Sequence, residues 1–484
     1  MTQGTTNARR ATPGRHVYDV IVIGGQLSGA LAAALSVKRG LQTLYVPHDS
    51  LGDPFTHQGV ELRHVPFLVP PLKAVPALEA SLAELGLTQV VGRSLRPVPL
   101  QLLEQTRWFE LSHDEKHRGP ELARALGADA EAFDEQLRKA QAAGDPSDAF
   151  FQAKLEFPPE GFFGKWKFKR QLGRFQLDGD TPLADDALLR KLARFVACVD
   201  APAPMTRARV LGRVLAGPDV HEGGREGLWR QLIDRARELG ADVLTGDEFV
   251  ESLTLDGGPG VRLSRGEATY RAGFVLAAMD LDALTRLMPE KARKAAAKFA
   301  APAAQKALCS FHLHLPESAL PRGLGPLALL DAPSLEGGAA LLEVRAGANA
   351  DSRLLVVTVE APVALRAGGE PAVKALLEQV YGALERVMPF TRPHVAWSAS
   401  TWTDAQHVVG GRGEPHPLFT LGDAAWLGVS GTVSSSPWKR VLLAGRQVLP
   451  GLGLEGEVLA AQRAVHLAEL TLKKNDPLKQ RRTA

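Results

Sequence analysis

The chain has 484 residues, 45% of them apolar and 23% charged, the balance of an ordinary globular protein long enough for two domains. Lys and Arg outnumber Asp and Glu by only 57 to 54, so no electrostatic footprint for nucleic acid extends over the chain. Its two cysteines, Cys198 and Cys309, form no CxxC pair or metal-spaced cluster, which argues against a disulfide framework and a structural zinc.

The first 16 residues, MTQGTTNARRATPGRH, are polar and basic and lack the apolar stretch of about 7 to 15 residues that an export signal needs. The expectation is a cytoplasmic protein, soluble or peripheral to the inner membrane face. Residues 17 to 29, VYDVIVIGGQLSG, then read as a buried β-strand entering a glycine turn, with the helical run ALAAALSVKR behind it. In the dinucleotide fingerprint the first glycine makes the turn, the second lets the backbone touch the pyrophosphate, and the third lets the helix pack on the strand. Gly24 and Gly29 fill the first and third roles, and Gln26 stands in the second. LQTLYV at 41–46 predicts a second buried strand, ending at Pro47 where a dinucleotide protein places an acid for the ribose. Asp49 follows, about 20 residues beyond Gly29, within the spacing expected of that acid.

From about 75 to 200, segments such as ALEASLAELG predict an inserted helical region. From 219, DVHEGGREGLWRQLIDRARELGADVL reads as a Gly-rich turn, an amphipathic helix and a strand, and VRLSRGEATYRAGFVLAAMD as a β-ladder ending in a buried strand. Between 305 and 360, KALCSFHLHL, GPLALLD, AALLEVRA and RLLVVTVEA predict an antiparallel sheet, followed by a helix over 371–388. The last region, RVLLAGRQVLPGLGLEGEVLAAQRAV, predicts a strand, a Gly-rich loop and a long helix.

Three stretches, VYDVIVIGGQLSGALAAAL, HEGGREGLWRQLIDRARELGADVLTGDEFVESL and RVLLAGRQVLPGLGLEGEVLAAQRAV, together resemble the FAD-dependent amine oxidase and phytoene desaturase superfamily over nearly the whole chain. The resemblance implies an α/β fold, a discontinuous FAD/NAD(P)-binding Rossmann-type domain interleaved with an α+β substrate domain. The boundaries it suggests are 1–75, 205–290 and 395–484 for the first domain, and 76–204 and 291–394 for the second, with its helical insertion. It also implies FAD contacts at Gly24, Gly25, Gly29, Asp49, Gly445 and Arg446, with Gly456 at the start of the final helix. Four positions depart from the family pattern: Gln26 for a glycine, Pro47 for a glutamate, only Gly52 left of a basic-glycine pair, and Arg446 for the aspartate that meets the ribityl chain. Arg446 either favours an anion such as a pyrophosphate or is a salt-bridge residue filling an empty site.

No catalytic base or nucleophile triad is legible, and GVSGTVSSSPW at 428–438 reads as a loop near the cofactor domain. His221, Gly223 and Gly224 read either as part of a cofactor-facing turn or as a structural turn feeding a helix; His312 and His314, which alternate on one strand face, bind a metal only if a third ligand arrives. Residues 150–175 interleave Phe150, Phe151, Phe162, Phe163, Trp166 and Phe168 with Lys165, Lys167, Lys169 and Arg170. That pattern fits peripheral membrane contact, a cap on a substrate cavity or a partner surface. Two functional readings follow. One is an oxidoreductase homologue with an eroded flavin site that binds an apolar ligand or protein partner without redox turnover, as Rab GDP-dissociation inhibitors resemble this architecture without using flavin. The other is an active FAD-dependent oxidoreductase on a hydrophobic, polyisoprenoid-like substrate.

Overall fold

The computed structural model describes residues 16–47, 55–63, 67–104, 107–142, 148, 150–151, 158–172, 186–244, 249–264, 269–297, 299, 301–400, 402, 416–422 and 426–474. The first strand, β1 (Val17–Ile23), alternates exposed and buried residues at its start and is buried on both faces over its last four, as a β-branched central parallel strand should be. Parallel partners flank it: β2 (Thr43–Val46) on one side and Thr269–Ala277 on the other, with Asp242–Val243 outside β2 and Val441–Leu443 beside Thr269–Ala277. An antiparallel extension, Gly260–Leu263 and Val250–Thr254, completes a seven-stranded sheet assembled from three distant parts of the chain.

Helix α1 (Leu27–Lys38) crosses from β1 to β2 and is buried continuously from Leu27 to Ser36. Its alanines and Gly29 present no side chain bulkier than the packing allows, which explains why a helix with so little amphipathicity is stable here. It ends where Gly40, at φ +83°, takes the left-handed conformation and the Leu41 amide donates back to the Ser36 carbonyl. Behind α1 lie Gly224–Glu238 and the final helix, Gly453–Lys474, sharing one apolar core with it.

The second sheet has eight strands built around Ala303–Pro316, which pairs with Ser352–Pro362, Trp397–Ser400 and His416–Thr420. It is largely antiparallel, as the alternating runs between 305 and 360 require. It departs from that expectation at one pair, Leu327–Asp331 against Leu100–Leu103, which is parallel. The 75–200 region is therefore not wholly helical: Leu100–Leu103 and Trp108–Leu111 leave it to extend this sheet. Pro97 and Pro99 precede the first of these strands and obscure it in sequence, but both lie before its first residue, so their missing N–H groups take nothing from its pairing with Leu327–Asp331 and Trp108–Leu111.

Candidate site at the carboxyl ends of the parallel strands

In an open parallel sheet, ligands meet the carboxyl ends of the strands. Three turns converge there, after β1, after Thr269–Ala277 and after Val441–Leu443. Gly24 sits at φ +107°, and a Cβ on it would lie 2.2 Å from the Ala278 carbonyl oxygen, so no other residue fits. Its amide donates to the Val46 carbonyl at 3.0 Å, and its own carbonyl accepts from the Tyr45 hydroxyl at 3.0 Å. Trp229 Nε1 in turn donates to the Tyr45 oxygen at 3.2 Å, and burial pushes the Tyr45 phenol pKa well up. A Cβ on Gly29 would meet the Gly24 carbonyl oxygen at 2.8 Å, and one on Gly456 the Leu449 carbonyl oxygen at 2.0 Å. Gly25 is buried in the same turn. Packing alone thus accounts for Gly24, Gly29 and Gly456.

Gln26 is the N-cap residue of α1, but its side chain caps nothing there. Instead it reaches across to the third turn and is 2% exposed. Its Oε1 accepts from the Arg446 amide at 2.8 Å, and its Nε2 donates to Asp280 Oδ1 at 3.1 Å. Arg446 closes the group, donating from Nη2 to Asp280 Oδ2 at 2.8 Å and from Nε to Oδ1 at 3.3 Å. Gly445 is small because a Cβ there would lie 2.6 Å from Gln26 Oε1. Asp280 begins the helix Leu281–Leu287 without capping it, and Gln447 Oε1 accepts from the Leu281 amide at 2.6 Å in its place. One carboxylate, one guanidinium and one amide from three turns therefore satisfy one another.

A dinucleotide pyrophosphate needs close backbone approach at the second glycine position and free donors at the helix N-terminus. Here the Gln26 side chain covers that approach, and its polar atoms are taken by Asp280 and Arg446. A pyrophosphate held in that place would have to displace these contacts. Of the two readings of Arg446, the geometry shows the salt bridge, at 2% exposure against Asp280. Asp49 and Gly52 lie outside the described residues.

Further buried charges follow along the final helix. Arg225 donates to Glu457 Oε1 and Oε2 at 2.5 and 2.6 Å, and Arg209 to Glu455 at 2.8 and 2.6 Å and to Asp148 at 2.8 Å. Between them a 60 Å³ void is bordered by Cys198 and His416, whose Sγ and Nε2 stand 3.7 Å apart. Burial, reinforced by Glu457, pushes the Cys198 thiol up to about 12; burial, reinforced by Arg446 and Arg225, pulls His416 down to about 3. The pair is a neutral thiol and a neutral imidazole, which is not an activated nucleophile. A larger cavity of 650 Å³ opens on the other side of the Arg209–Glu455 pair, with Phe150, Phe151, Ala80, Leu449 and Leu459 in its wall and Arg39 and Glu84 at its border. Arg209 lies over the Phe151 ring, 4.7 Å from its centroid.

His221 accepts from the Gly223 amide at 3.1 Å and faces Gln231 at 3.3 Å, and burial lowers its pKa, so it shapes the turn that starts its helix. His314 stacks on Trp397 with parallel rings 5.0 Å apart. Among the described residues no group of three His, Cys, Asp or Glu side chains could hold a metal ion. Asp280, Gln447 and the Arg225–Glu457 and Arg209–Glu455 pairs were not legible as site residues. The available signal was polar residues set inside apolar runs, as in LLAGRQVL and GLEGEVL.

No protein-family model matches the chain, and no curated protein sequence does either. Solved structures do match. Cyclohexylamine oxidase from Brevibacterium oxydans superposes with a TM-score of 0.57 over 94% of this chain and 99% of its own, at 16% identity. Putrescine oxidase bound to putrescine gives a TM-score of 0.56 with the same coverages and identity. An oxidoreductase from Methanosarcina mazei gives 0.55 over 93% of this chain and all of its own, at 12% identity. The chain has the fold of these amine oxidases and oxidoreductases.

Proposed function

We propose that the protein keeps the amine oxidase fold without its redox use, and binds an apolar or amphipathic small molecule, or a protein partner, rather than turning over a substrate with flavin. The observation that carries this reading is the closure of Gln26 onto Asp280 and Arg446 at the strand ends. The 650 Å³ cavity supports the ligand half of the proposal, since its volume lies within the range of about 300–1,000 Å³ usual for small-molecule sites. Its aromatic and aliphatic wall suits an apolar body, and the charged border a polar end. The test is the absorbance spectrum of purified protein, with and without added FAD, followed by denaturation to release any chromophore. Colourless protein that takes up no FAD is expected, and a near-stoichiometric flavin band would overturn the reading. Solvent extraction and mass spectrometry should then recover an amphipathic molecule, lost when Ala80→Trp fills the cavity.

A working FAD oxidoreductase on a hydrophobic substrate is the second reading, and the likeness to two amine oxidases favours it. The same spectrum decides between the two.

A further inference from the structure

Within the aromatic and basic segment 150–175, of which 152–157 and 173–175 lie outside the described residues, one stretch forms a helix, α2 (Gly161–Leu172), with two unlike faces. At 100° per residue, Phe162, Trp166 and Phe163 fall within a 100° sector, and they are 79%, 57% and 81% exposed. The other exposed large apolar side chains among the described residues, Val17, Val90, Phe249, Phe390 and Leu470, stand singly along the chain. Phe168 points nearly opposite and is the anchor: it is 3% exposed, with ring centroids 5.5 Å from Phe150 and 4.8 Å from Trp426. Lys165 and Lys169 flank the aromatic sector on one side and Lys167 on the other, while Arg170 lies over Trp166 at 5.8 Å. The helix carries no acidic residue.

We infer that α2 is a docking element for an anionic membrane surface, with Phe162, Phe163 and Trp166 entering the headgroup layer and Lys165, Lys167 and Lys169 reaching lipid phosphates on either side. An aromatic ridge between rows of long cations is the arrangement that an interfacial helix needs, because the lysine stems lie along apolar ground while their ends meet the headgroups. A helix embedded in a protein partner would bury Phe162 and Phe163 against apolar side chains but gains nothing from cations on both flanks unless that partner is acidic. No helix among the described residues is long and apolar enough to cross a membrane, so contact through α2 is at the surface. The anchor also connects inward: Phe168 packs on Phe150, Phe150 on Phe151, and Phe151 lines the 650 Å³ cavity. The inference does not depend on whether flavin binds.

The test is co-sedimentation of the full chain with vesicles of phosphatidylcholine alone and of phosphatidylcholine with phosphatidylglycerol. Binding to the anionic vesicles, weakening as salt rises, is expected, with little binding to the neutral ones. The triple change Phe162→Ser, Phe163→Ser, Trp166→Ser should weaken partitioning at least ten-fold at unchanged thermal stability, since all three side chains are exposed. Each Lys→Gln change should weaken it about five-fold, and Phe390→Ser, at an equally exposed aromatic elsewhere, should not. Failure to bind anionic vesicles overturns the inference, as does binding that survives the triple aromatic change. So does finding that the lysines serve an acidic protein instead.

Discussion

At the glycine turn, polar side chains from the ends of three parallel strands spend their hydrogen-bonding groups on one another, whereas the cavity beside the final helix keeps a charged border partly open to water. Arg446 is 2% and Asp280 17% exposed, against 22% for Arg39 and 34% for Glu84. In the first region charge serves as internal filling; in the second it leaves room for something else. The backbone shape of this turn is fixed by packing, because Gly24, Gly29 and Gly456 are held by carbonyl oxygens 2.0 to 2.8 Å from where a Cβ would be. Retained glycines are therefore weak evidence for a retained ligand.

Breaking the closed group should cost far more than breaking the open border. Asp280→Ala leaves the Arg446 guanidinium buried without its carboxylate and should lower stability by about 3–5 kcal/mol in urea denaturation. Equal stability would show that the group is not closed. Gly24→Ala meets both a left-handed φ and a 2.2 Å contact with backbone, and should cost about 3 kcal/mol or more by the same measurement. Gln26→Gly removes two side-chain hydrogen bonds and should cost about 2 kcal/mol. It should not by itself admit FAD, since Asp280 and Arg446 remain paired. A Gln26→Gly, Pro47→Glu, Arg446→Asp variant instead breaks that pair and sets a second carboxylate against Asp280, and is expected to need Asp280 replaced before flavin uptake can be scored.

His416 supplies a pH test between the two regions. Burial holds its folded pKa near 3, below the unfolded value of about 6.5. The unfolded chain therefore takes up the proton first, so the stability is present above about pH 6.5 and is lost as pH falls toward 3, at up to about 1.4 kcal/mol per pH unit. His416→Gln should flatten this part of the stability profile, and an unchanged slope would show that His416 is not the group responsible. The smallest effect is expected at the cavity border: Arg39→Met removes a partly solvated pair with Glu84 and should cost about 0.5 kcal/mol.

Much of this architecture was legible. The β-branched run before Gly24, the Ala-rich helix after it and the strand-like runs KALCSFHLHL and RLLVVTVEA, set off by turns, each follow from local pattern. Leu100–Leu103 was missed because its neighbouring prolines read as breakers, and the hairpin Phe55–His57/Val60–Leu62 because its strands are three residues each. At the candidate site Gln26 and Arg446 stood out as departures from a pattern, but Asp280, which unites them, did not.

The sequence by itself determined the strand–turn–helix start and the strand-like runs between 305 and 360, because these depend on neighbours a few residues apart. Only the tertiary structure decided what Gln26 and Arg446 do. Their partners lie 254 and 166 residues away at Asp280, and 420 residues separate Gln26 from the Arg446 amide. Contacts that far apart along the chain are made by the order of strands in the sheet, which brings three turns to one edge, where Gln26, Asp280 and Arg446 meet.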